Sequence, residues 1–136
     1  MSYRSELFDQ LKLHEGVRDT PYEDTEGHLT LGVGHNLSKP ISPAVIELML
    51  SEDVEDAEAD LDRIFSPWRD LSKNRKLALV DMMFNLGSPS FVKFYRFWKA
   101  MTMKEYDDAA KEMLNSKWAE QVGQRAVRLS EMMRLG

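Results

Sequence analysis

A chain of 136 residues, 43% hydrophobic and 30% charged, is one folding unit by length, or two lobes sharing a helix, and it has enough apolar residues to bury a core. That composition excludes a disordered chain, and the absence of cysteine excludes disulfides and thiolate metal sites, so the fold must stand on packing alone. The net charge of -5 hides an asymmetry, since residues 1–64 hold 5 basic and 15 acidic side chains against 13 and 8 in residues 65–136. A basic second half suits an anionic polymer, but opposite faces also simply keep proteins soluble. No aromatic-interleaved basic run marks a nucleic-acid binder. Three unclustered histidines argue against a metal, and no cofactor is expected. The acidic Glu6 sits where a signal peptide needs an apolar core, and no apolar run reaches membrane-spanning length, so neither export by the chain itself nor membrane insertion is expected.

In chain order, the spacing predicts a first helix from about Ser2 or Ser5 to His14, with Leu7, Phe8 and Leu11 on one face and Gly16 as its stop. Glu15 follows Leu11 by four and so points to the buried side, at the negative end of the helix dipole. Burial and dipole both favour its neutral, protonated form. Between Pro21 and His35 the pattern becomes alternating. Leu29, Leu31 and Val33 take one strand face, His28, Thr30, Gly32 and Gly34 the other, and Glu26-Gly27 supplies the turn. Thr30 then faces away from the apolar layer, while Gly32 and Gly34 leave room for a ligand or another backbone.

Ser42-Pro43 reads as an N-cap and first helical position, opening a long helix to about Ile64, with Val45, Leu48, Met49, Val54, Leu61 and Ile64 as its apolar contacts. Its acidic middle suits a solvated helix that bridges two lobes. After Phe65-Ser66-Pro67, at least four helical segments are expected. Leu77–Leu86 is apolar almost all round and should be the central buried helix, ending at Gly87. Thr102 with Glu105 reads as a capping box for the helix carrying Tyr106, Ala109, Ala110, Met113 and Leu114. Short helices around Phe91–Met101, Lys117–Gln121 and Arg125–Met133 should enclose the central one.

The chemistry concentrates in His14-Glu15-Gly16, Asp24, and Thr30 within His28-Leu29-Thr30-Leu31-Gly32-Val33-Gly34-His35. Eight residues separate Glu15 from Asp24, and five separate Asp24 from Thr30. An acid at a helix end, a carboxylate in a hairpin and a hydroxyl on the returning strand together supply a proton donor, a water-activating base and a water-positioning group. That set cleaves a glycosidic bond.

This signature resembles that of the phage-type lysozymes, closest to the T-even phage enzymes. Phe84-Asn85-Leu86-Gly87, Phe91 with Phe94, Asp107-Asp108-Ala109-Ala110, Asn115-Ser116-Lys117-Trp118 and Gln124-Arg125-Ala126-Val127-Arg128 extend the likeness in the same order. The resemblance implies an α+β, mainly helical fold. A small antiparallel sheet lobe (about residues 16–42) would be joined by the long helix (43–64) to a helical lobe (65–136, with the N-terminal helix 2–15), all within one lysozyme domain.

It implies a muramidase acting on the β-1,4 bond of bacterial peptidoglycan, with Glu15, Asp24 and Thr30 catalytic and with inversion. The alternative is a non-catalytic or tail-associated wall-binding module. Gly34, Asn85, Leu86, Trp118 and Gln121 are the candidate substrate contacts. Arg125 would approach Glu15, and His35 would pair with Asp53. A monomeric endolysin made in the host cytoplasm and released to the wall by a holin is the expected setting. Only 17 residues lie between His35 and Asp53, so the sheet lobe is shorter than in the T-even enzymes and part of their cleft wall is expected to be absent.

Overall fold

The computed structural model describes residues 2–136. Helix α1 spans Tyr3–Glu15. Ser2 caps it by accepting the Ser5 N–H at 3.2 Å, and Gly16 ends it at φ +78°. Three antiparallel strands follow in the order β1 (Arg18–Glu23), β2 (Leu29–Gly32) and β3 (His35–Asn36). Helix α2 spans Pro43–Ile64, with Ser42 Oγ accepting the Val45 N–H at 3.3 Å. A short 3-10 turn, Ser66–Asp70, then leads into α3 (Lys73–Leu86), α4 (Ser88–Phe91), α5 (Tyr95–Thr102), α6 (Tyr106–Leu114), α7 (Lys117–Val122) and α8 (Gln124–Leu135). The fold class is the expected one, α+β and mainly helical.

The chain divides into two compact units, residues 1–46 and 47–136. The core belongs to the second. Leu61, Leu79, Met82, Met83, Met101, Met113 and Met133 are fully enclosed there, so unbranched methionines fill much of the interior. Phe91 sits among Phe94, Phe97 and Trp98, its ring centroid 4.7 Å from that of Trp98, whose indole N–H donates to the Phe91 carbonyl at 2.8 Å.

Four expectations are corrected. No residue of α1 is buried: Phe8 and Leu11 are exposed, and so is Glu15. Glu15 is therefore not on a buried helix face. Thr30 lies on the buried side of β2 at 3% exposure while Leu29 is 52% exposed, the reverse of the expected facing. The apolar alternation misleads because Val33 is not in a strand at all. Gly32 and Gly34, at φ +70° and +64°, turn the chain back so that Leu31 pairs with His35.

Helix α3 starts four residues earlier than expected, capped by Ser72, and is buried on one face only. Its Leu77, Val80 and Phe84 join Leu50 and Val54 in lining a groove of about 600 Å³. Finally, Thr102 closes α5 instead of opening α6, because its hydroxyl donates back to the Trp98 carbonyl at 2.8 Å and no side chain caps α6.

Candidate active site

The site is built from the bottom of the β1–β2 hairpin. Asp24 directly follows β1, and its carbonyl accepts the Gly27 N–H at 3.1 Å, closing a turn that Gly27 completes at φ +80°. Its side chain folds over that turn. Oδ1 accepts the backbone N–H of Glu26 at 2.9 Å and of His28 at 2.8 Å. Oδ2 faces the His28 ring, with Nδ1 at 3.5 Å. The His28 N–H bond, assisted by the Glu26 N–H and the imidazole, holds the Asp24 carboxyl below the usual carboxylate range, against partial desolvation. The Asp24 carboxyl is half-exposed, and these bonds favour its charged form.

Thr30 is held by the same residue. Its hydroxyl donates to the His28 carbonyl at 2.8 Å, which satisfies a side chain that the sheet buries between Tyr22 of β1 and Asn36 of β3. The donor is used, but Thr Oγ1 keeps lone pairs that can accept from a water. His28 thus carries Asp24 on its N–H and Thr30 on its C=O. It is the residue that sequence reasoning missed at this site. Its one signal was an imidazole at the fourth position after the acid, on the far side of a predicted turn.

Glu15, the last residue of α1, lies against the turn between β2 and β3. A Cβ built on Gly34 would stand 2.7 Å from Glu15 Oε2 and 3.1 Å from its Cδ. The room that Gly34 leaves is occupied by the Glu15 side chain. His35 is exposed on β3, and Asp53 is exposed on α2.

In the second unit, Asn85 is exposed near the end of α3, and its Oδ1 accepts the Trp118 indole N–H at 2.8 Å. Trp118 itself is buried at 3%, so it orients Asn85 from the core instead of offering a flat face to a sugar. Leu86 is half-buried against the core, and Gln121 is exposed on α7. Arg125 forks onto Asp81 of α3, with Nε at 2.9 Å and a terminal nitrogen at 2.6 Å from Oδ1. Its observed partner is therefore Asp81, which the sequence did not single out. Among the described residues no cluster of histidine and acid side chains could hold a metal, and no helix is long and apolar enough to cross a membrane.

Residues 12–132 match the model of the phage lysozyme family. The chain is 28% identical to the probable T4-type lysozyme 2 of Dictyostelium discoideum, over 97% of this chain and 95% of that protein. It is 30% identical to the endolysin of Salmonella phage P22, over 84% and 82%. It is also 26% identical to the pre-baseplate central spike protein Gp5 of Enterobacteria phage T4, over 96% of this chain but 28% of that protein. The chain belongs to the phage lysozyme family. It is a glycoside hydrolase of the lysozyme type, and the family implies peptidoglycan as its substrate.

Proposed function

We propose that this lysozyme hydrolyses the β-1,4 bond between N-acetylmuramic acid and N-acetylglucosamine with inversion, using Glu15 as proton donor and Asp24 with Thr30 to activate and orient the attacking water. The observation that carries the assignment is the hydrogen bonding at Asp24. Two N–H groups on one oxygen favour its charged form, so it suits the carboxylate role and not that of the proton donor, which supports Glu15 as the donor. The Thr30 hydroxyl, anchored on the residue that also holds Asp24, supports a water-mediated step over direct attack. Proton NMR of the first product formed tests this. An initial α anomer is expected, and an initial β anomer would make Asp24 a nucleophile.

Asn85, Leu86 and Gln121 would contact the glycan. Host lysis as a monomeric endolysin that reaches the wall through a holin is the biological reading favoured by the P22 endolysin match. The match to a domain of a T4 spike protein supports a second setting, a wall-cutting module carried on a virion. Detection of the protein in purified particles separates the two.

A further inference from the structure

We infer that Gly34 is a positioning residue for the proton donor. Lacking a side chain, it leaves the volume in which the Glu15 carboxyl rests, and this inference rests on the acid role proposed for Glu15. Three atoms of Glu15 lie where a side chain at position 34 would begin. The built Cβ would be 2.7 Å from Oε2, 3.1 Å from Cδ and 3.4 Å from Cγ. Carbon pairs at optimal separation stand about 3.5 to 4.0 Å apart, so any L side chain at this position displaces the carboxyl. Glu15 can yield cheaply, because the contact falls on the free end of a flexible, exposed side chain. The consequence is catalytic more than structural. A misplacement of about 1 Å in a reacting group can cost about a hundredfold in rate.

The left-handed backbone at Gly34 is a separate effect, and Gly123 shares its positive φ without a neighbouring side chain in the way. Gly34 has φ +64° and Gly123, between α7 and α8, has φ +59°, but a Cβ at Gly123 would meet nothing within 4 Å. Alanine at either position strains the backbone. Only alanine at 34 also moves Glu15.

The experiment compares kcat and KM on purified sacculi, together with the thermal midpoint, for Gly34→Ala, Gly34→Asn and Gly123→Ala. Asparagine carries the same Cβ and tolerates a left-handed backbone, which guards against simple misfolding. Both substitutions at Gly34 should lower kcat by about ten- to a hundredfold with KM changed less than about threefold. The midpoint of Gly34→Ala should fall by no more than that of Gly123→Ala, whose kcat stays near wild type. In a Glu15→Gln background, Gly34→Ala should add less than about twofold, since the displaced donor is already gone.

Three results overturn the inference. One is a kcat for both Gly34 variants equal to that of Gly123→Ala. Another is a loss confined to KM, which would make Gly34 a substrate contact. The third is an undiminished effect of Gly34→Ala on top of Glu15→Gln. Near-normal lysis by Glu15→Gln alone identifies the acid assignment as the failing step, and Gly34 then loses its role with it.

Discussion

Asp24 and Thr30 hang on opposite sides of one peptide residue. The His28 N–H donates to Asp24 Oδ1 at 2.8 Å, and the His28 carbonyl accepts the Thr30 hydroxyl at 2.8 Å. The same carbonyl accepts the Asp24 N–H at 2.9 Å, so the carboxylate and hydroxyl proposed to handle the water are both fixed to one hairpin end. Their separation is set by backbone geometry and not by two independent rotamers.

Replacing Asp24 with Asn keeps an oxygen for both N–H donors but removes the charge. The variant should fold and lose at least about a hundredfold in turnover, measured by sacculus clearance. Its stability should also respond to acid in a defined direction. The folded pKa of Asp24 is lowered, so its contribution is present above the unfolded value of about 3.9 and is lost as pH falls through the folded value. Wild type should therefore exceed Asp24→Asn in thermal midpoint at about pH 6 and converge with it near about pH 2. A gap that stays constant over that range contradicts the hydrogen-bond origin of the shift.

Thr30→Val preserves bulk in a buried site and leaves the His28 carbonyl its bond from the Asp24 N–H. The fold should survive. If Thr30 holds the attacking water, kcat falls while KM is nearly unchanged. A loss carried by KM alone would place the hydroxyl on the sugar instead.

Glu15→Gln conserves shape and deletes the transferable proton. Since α1 buries none of its residues and Glu15 is exposed, stability should change little, whereas turnover drops by at least about a hundredfold. Circular dichroism and a turbidity assay on the same sample make the comparison.

Leu79, at the centre of α3, is fully enclosed by the second unit. Leu79→Ala should lower unfolding stability by about 2 to 5 kcal/mol, the range for a leucine truncated in a packed core. Urea unfolding measures it. A cost below about 1 kcal/mol, less than the transfer of two methylenes, would mean that the surrounding methionines collapse into the space.

The elements legible in sequence were those with local causes. Ser42-Pro43 before the long helix, Gly16 and Gly87 after their helices, and the Asp24 to Gly27 turn are set by capping groups and backbone dihedrals within a few residues. The acidic and hydroxyl residues of the proposed site were visible for the same reason, since Glu15, Asp24 and Thr30 fall within 16 consecutive residues. Tertiary structure decided what depends on distant partners. It buried Thr30 and exposed Leu29, because which face of a strand is covered depends on what packs against it, and two left-handed glycines ended the alternation that the sequence suggested. It turned Trp118 into the support of Asn85, 33 positions away, and gave Arg125 to Asp81, 44 positions away. It also brought Gly34 against Glu15. Periodicity reports which residues share a face of one element, whereas the neighbour that a face meets is set by how the elements pack, and that free energy is summed over the whole chain.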